Sequence, residues 1–333
     1  MSKRINELDY VRVIAISMIL LCHYLECSSV SLGLGRYLGG AGNTVFFVLS
    51  ALLYSFRYCP DNQLINRGGQ SLDTQRFAKG RILKLGSSVW PFLIVVTVLY
   101  LVFGVDFSWS KLGLNFVFLG YFGKMPGINH LWFLTVLMAC YAEFVFLLRF
   151  RTTTKWFPWV FLGLMIGLMA FAETVGVPGL AFGYMGFFGF VFLKGRWLYE
   201  KSKALKIWQA LIIVAINAGC IWLCCHELFE TSRILFYLLT DICGLSLLVL
   251  MLRYLPDKSS KAISFLSEIS FEIYLVHLNL CTGPFVKITS WNYNHLLQFS
   301  LVVALSILLA MALHYVAGLV EKPLAKVLKM NKQ

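Results

Sequence analysis

The sequence predicts an all-α, polytopic membrane protein with about ten transmembrane helices and both termini in the cytoplasm. Three observations predict it. The 333 residues are 59% hydrophobic and 14% charged, where a soluble domain carries roughly 25% charged residues; the mean hydropathy is +0.75. Apolar runs close to the ~20 residues that a spanning helix needs recur along the whole chain. Lysine and arginine are distributed unevenly: with the N-terminus placed inside, 23 of the 29 fall in cytoplasmic segments and 5 in outer ones, the remaining one being Arg12. That is a strong positive-inside bias. It also accounts for the net charge of +13 without any nucleic-acid partner.

The spans are expected at 8–27, 41–57, 86–104, 131–149, 156–173, 179–194, 206–224, 234–252, 264–282 and 297–320. The first follows MSKR with no A-x-A-like cleavage site, so it reads as a retained anchor helix. Its sequence, LDYVRVIAISMILLCHYLE (Leu8–Glu26), carries two residues that lipid disfavours, Arg12 and His23. Eleven residues at about 100° each end about 20° past three full turns. The two side chains therefore share a helix face, about 16 Å apart along the axis. Glu26 follows His23 at i+3 and lies on the same side. An arginine at a helix centre costs about 2.5–3.5 kcal/mol. Arg12 is one turn inside, where snorkelling to the headgroups is its plain reading, and His23 has an interfacial seat as its own. Together on one face they indicate a polar path along the inside of the bundle.

The second span offers Asn43 and Ser50 as weaker polar candidates. The third is preceded by the basic cluster Arg76, Lys79, Arg81 and Lys84, which sets topology and also suits phosphate binding. The stretch LGLNFVFLGYF (112–122) is too short to cross; flanked by Trp109 and GKMPG, it reads as a re-entrant or interfacial helix. His130 and Trp132 open the fourth span, Trp132 with an aromatic-belt reading beside a functional one. In the ninth, Ser267, Ser270, Tyr274 and His277 fall at i, i+3, i+7 and i+10, one broad helix face. It is either a packed hydrogen-bond seam or a cavity lining. His314 is a lone polar group in the last span with a structural reading, and His226 and His295, in outer loops, carry no assigned role.

The nine cysteines show no CxxC pair and no Cys/His cluster with zinc spacing, so neither a disulfide nor a metal is expected. The longest polar stretch, Cys59 to Gln75, is too short for a separate domain, and no internal repeat is visible. Residues 1–333 are expected to form a single membrane domain.

Several stretches resemble the acyltransferase-3 family of membrane acyltransferases. LDYVRVIAISMILLCHY is similar to that family's first helix, with an Arg, ten residues and a His. GNTVFFVLSALLYSF (42–56) resembles its second helix, RFAKGRILKL (76–85) its basic segment before the third, and HLWFL (130–134) a hLWFL stretch. SEISFEIYLVH (267–277) resembles the late iSyxiYLxH segment and VEKPLAKVL (320–328) the terminal E-[KR]-P segment. The order is the family's and covers nearly the whole chain. Ala51 stands where the family usually has Gly, Lys84 where a second Arg is common, and the usual Pro soon after Lys84 is missing.

The resemblance implies transfer of an acyl group, acetyl being the commonest, from cytoplasmic acyl-CoA (acetyl-CoA) to a hydroxyl of a surface or lipid-linked glycan. No permanently bound cofactor is expected. A hydroxyl needs a base within hydrogen-bond reach, and His23 is that expected base, or a relay to it, with Glu26 either orienting the ring and holding its charge or facing the outer headgroups. Arg81 and Lys84, with Arg76, are expected at the nucleotide phosphates, and Arg12 at the pyrophosphate, pantetheine or thioester end. Tyr274, His277, Ser270, His130, Trp132 and Asn43 are the acceptor-side candidates. The location expected is the cytoplasmic (inner) membrane. Ending at Gln333 just after its last span, the chain either acts directly on its acceptor or hands over to a separate glycan-assembly partner; a homo-oligomer is left open. The competing function is a transporter or flippase of a lipid-linked sugar. The paired halves and Gly/Pro-broken helices typical of transporters are not visible.

Overall fold

The structure, a computed structural model, describes residues 5–28, 30–58, 73–149, 155–226, 228–258 and 260–328. Most of the polar stretch from Cys59 to Gln75 lies outside these, as do the basic residues Lys3, Arg4, Arg67, Arg151, Lys329 and Lys332. Among the described residues every regular element is helical: α1 (Glu7–Cys27), α2 (Leu32–Tyr58), α3 (Thr74–Phe103), α4 (Trp109–Phe116), α5 (Trp132–Arg149), α6 (Phe157–Thr174), α7 (Leu180–Lys203), α8 (Ile207–Cys225), α9 (Leu228–Thr231), α10 (Arg233–Tyr254), α11 (Lys261–Glu268), α12 (Ser270–Cys281) and α13 (His295–Val327).

The boundaries follow from capping chemistry. Asp73 accepts from the Arg76 N–H at 2.9 Å to start α3, and Asn294 accepts from the Leu297 N–H at 2.8 Å to start α13. Gly104, at φ +63°, ends α3 in the left-handed conformation that glycine tolerates without strain.

Eight of these helices are long and apolar enough to cross a membrane by length and composition. All ten expected spans fall on helix; the two outside the eight differ for physical reasons. α7 carries Gly183, Gly186, Gly189 and Gly195 and ends in Lys194, Arg196, Glu200, Lys201 and Lys203, which lowers its hydropathy. Its middle is buried against protein and needs less apolar character than a lipid-facing helix. The ninth expected span breaks at Ile269 into α11 and α12, of 8 and 12 residues. The 112–122 stretch contributes the end of α4, an eight-residue helix that does not cross. Large apolar side chains such as Val102 and Phe103 on α3, Val160 and Phe171 on α6, Leu211 and Trp222 on α8 and Leu308 on α13 are exposed. In water such surfaces would aggregate; facing lipid they are satisfied. This is a multi-pass membrane protein.

The chain forms two compact units. The first comprises 1–65 and 136–267. In it α2 is the central element, and glycines let its neighbours approach. A Cβ at Gly39 would lie 2.6 Å from Cys22 Sγ of α1, and one at Gly40 2.8 Å from the Thr240 side chain of α10. Small residues play the same part at helix contacts in membranes generally. The second unit comprises 66–135 and 268–333. There α12 packs against α13 and α3. Trp90 Nε1–H donates to the Phe116 carbonyl at 2.9 Å, the Tyr100 hydroxyl donates to the Pro126 carbonyl, and Asn115 donates to the Gly123 carbonyl at 2.7 Å. These bonds fix α4 and the turns after it.

Candidate active site

The first turn of α1 carries Glu7 and Asp9, where the helix dipole favours negative charge. Both are buried and both have partners. Glu7 Oε1 lies 2.9 Å from Lys203 Nζ. Ser267 Oγ–H donates to Asp9 Oδ1 at 2.9 Å and Ser264 Oγ–H to Asp9 Oδ2 at 3.3 Å. One turn further on, Arg12 Nη1–H donates to Ser267 Oγ at 2.8 Å and stands 3.9 Å from Asp9 Oδ1. Arg12 is therefore anchored by protein. Its side chain remains 30% exposed.

Three turns along the same unbroken helix, His23 Nδ1 lies 3.6 Å from Glu26 Oε2, their side chains 24% and 34% exposed. The helical register thus holds Arg12 and His23 on one face as the spacing predicts. Cys22 joins the second pair: ligand atoms of Cys22, His23 and Glu26 all lie within 4.8 Å of one another. Zinc-type spacing is missing from the sequence, yet one turn of α1 gathers three metal-ligand types.

In the second unit, His130, Tyr274 and His277 come together. The Tyr274 hydroxyl donates to the His130 carbonyl, and His130 Nε2–H donates to the Leu275 carbonyl at 3.1 Å. The His130 ring lies 5.0 Å from that of Tyr274 and 5.4 Å from that of His277. His277 Nδ1–H donates to the Tyr274 carbonyl at 2.8 Å, which fixes its tautomer and leaves Nε2 as an acceptor. All three residues are buried. The expected four-residue stripe is split by the break at Ile269. Ser267, on α11, is a partner of Asp9 and Arg12; Ser270 begins α12 and is buried with Tyr274 and His277. Trp132 opens α5 beside Phe133, with ring centroids 6.3 Å apart.

Arg76, Arg81 and Lys84 all project from the N-terminal half of α3. Arg76 and Lys84 are exposed, and the Arg81 guanidinium sits 5.4 Å from the centre of the Phe77 ring. Asn43 is hydrogen-bonded to Tyr184 within the first unit. Ser50 Oγ–H donates back to the Phe46 carbonyl at 3.0 Å, the local bond of a helix hydroxyl.

A family model described as "Acyltransferase domain" matches residues 5–315. The chain belongs to the acyltransferase-3 family. No curated protein matches it, and no solved structure does. As a member of this family it stands among the membrane acyltransferases, and the match takes in α1, both described clusters and most of α13.

Several buried acids of this acyltransferase-family chain escaped the sequence reading. Asp9 supports Arg12. Asp241 of α10 accepts from Thr44 Oγ1–H at 2.6 Å, and its Oδ2 has no hydrogen-bond partner among the described residues. Glu143 of α5 is buried where Gly189 of α7 leaves room for its carboxyl, with neither oxygen hydrogen-bonded among the described residues. Glu272 of α12 accepts from Ser88 Oγ–H at 2.8 Å and faces His314 Nδ1 at 3.4 Å. His314 is thus not a lone polar group: it also lies 3.9 Å from Glu268. The signal was available, since an acid inside an apolar span is rare enough to indicate function by default.

Proposed function

We propose that the protein is a membrane O-acyltransferase that moves an acyl group, acetyl first, from acyl-CoA to a hydroxyl of a surface or lipid-linked glycan. The observation that carries this reading is the His23–Glu26 pair, 3.6 Å apart, on the same face of α1 as an Arg12 anchored by Asp9 and Ser267. His23 takes the proton of the acceptor hydroxyl as its oxygen attacks the thioester carbonyl carbon. The C–S bond then breaks, and the leaving thiolate of CoA takes up a proton. Glu26 aligns the ring and offsets the charge it gains. Arg12 holds donor oxygens, and Arg76, Arg81 and Lys84 bind the nucleotide phosphates, a task suited to basic groups. His130, Tyr274, His277, Ser270, Trp132 and Asn43 serve the acceptor side, and the seat is the inner membrane.

The test is mass spectrometry of ester-linked acyl groups on surface glycans from a deletion strain. It is complemented with wild type, Arg12→Ala or His23→Ala at matched protein levels. One acyl group restored by wild type and by neither variant is the expected result. Unchanged acylation with shortened glycan would indicate transport instead, and full rescue by His23→Ala would remove the base.

A further inference from the structure

The cluster at the C-terminal end of α1 holds more than a base and its carboxylate. Cys22, His23 and Glu26 supply a sulfur, a nitrogen and an oxygen, all within 4.8 Å of one another. His23 Nδ1 and Glu26 Oε2, at 3.6 Å, already stand at the separation of two ligands on one tetrahedral ion. With metal–ligand distances of about 2.0–2.3 Å that separation is roughly 3.3–3.8 Å. The remaining contraction is about 1 Å, within reach of χ rotations in two part-exposed side chains.

The wall beside the cluster is shaped by absence. On α2, Gly39 faces Cys22 and Gly35, one turn away, faces Glu26. A Cβ at Gly39 would lie 2.6 Å from Cys22 Sγ, and one at Gly35 2.9 Å from Glu26 Cγ. Both glycines of α2 thus leave space that any other residue would take from the ligand side chains. Cys22 is buried while His23 and Glu26 are part exposed, so an ion has an entry side and a dry thiol at its back.

We propose that Cys22, His23 and Glu26 form a binding site for a thiophilic divalent cation of the zinc class, and that its occupancy silences acyl transfer. On binding, the cation displaces the proton of the Cys22 thiol to solvent and takes the lone pair of the neutral His23 nitrogen and a Glu26 oxygen. The fourth position is left to water. With one nitrogen on the metal, the single proton of the neutral ring sits on the other, so His23 has no lone pair left for a hydroxyl proton. The silencing clause rests on His23 as the base; the binding clause does not.

The test uses the full chain purified in detergent and kept reduced, titrated with Co2+ and then with Zn2+. The expected result is one equivalent of Co2+ giving a thiolate-to-cobalt charge-transfer band that Zn2+ abolishes. Cys22→Ser loses the band, and Glu26→Gln weakens Co2+ binding by at least about tenfold. Two variants on different atoms, each accepted only as a monodisperse peak, guard against misfolding. The absence of a band overturns the site, and a band unchanged in Cys22→Ser overturns it by placing the thiolate on another cysteine. The second readout is acyl transfer at graded Zn2+, each variant scaled to its own metal-free rate: wild type is inhibited and Cys22→Ser requires at least about tenfold more metal. A cobalt band without inhibition keeps the metal site and overturns both the silencing clause and His23 as the base.

Discussion

At the residue scale, Asp9, Arg12 and Ser267 behave as one unit, as do His23 and Glu26. If His23 is the base, His23→Ala lowers turnover by about 10²–10⁴-fold. Glu26→Gln lowers it less, and the double variant is no slower than His23→Ala alone, because groups that act together are not additive. Release of CoA thiol from proteoliposomes supplied with acyl-CoA and acceptor measures all three; a double variant much slower than His23→Ala would separate the roles. Asp9→Ala leaves Arg12 and the hydroxyls of Ser264 and Ser267 without their carboxylate. The expected cost is about 1–3 kcal/mol of stability, read as a lower Tm in detergent. An unchanged Tm would mean that water or lipid headgroups replace the carboxylate.

At the scale of elements, the contact of α1 with α2 depends on backbone approach. Gly39→Leu pushes side-chain atoms into Cys22 and is expected to destabilise by about 1–3 kcal/mol or more. Gly219→Ala on α8 has nothing within 4 Å of the new methyl among the described residues and is the control, neutral or slightly stabilising. Equal Tm shifts for the two would remove the glycine argument. The break at Ile269 belongs to this scale too. Sequence periodicity draws one stripe from Ser267 to His277, and the chain places its first member on α11 beside Arg12 and the rest on α12. Continuous helical spacing through an apolar segment gives no sign of such a break, because Ile269 is an ordinary helix residue by composition.

At the scale of the whole molecule, cysteine labelling reads how often and in which direction the chain crosses. If α7 crosses, Gly176→Cys and Ala204→Cys lie on opposite sides of the membrane. A membrane-impermeant maleimide then labels only Gly176→Cys from outside in intact cells, in a background lacking the exposed Cys225. Labelling of both from one side would leave α7 uncrossed. With both termini inside, a cysteine at Lys111 labels from outside and one at Lys326 does not.

The sequence by itself determined what is local. Mean hydropathy and the charge asymmetry sufficed for a multi-pass helical protein, and ordered motifs sufficed for the family. The register of Arg12 and His23 needed only the period of an α-helix, since both sit on one unbroken element. Tertiary structure alone decided which polar groups satisfy one another. Asp9 meets Ser267 across 258 residues, Thr44 meets Asp241 across 197, and Ser88 meets Glu272 across 184. Hydropathy and periodicity are summed over neighbours in sequence. A buried carboxylate is satisfied by neighbours in space, and those are set only when the helices have packed.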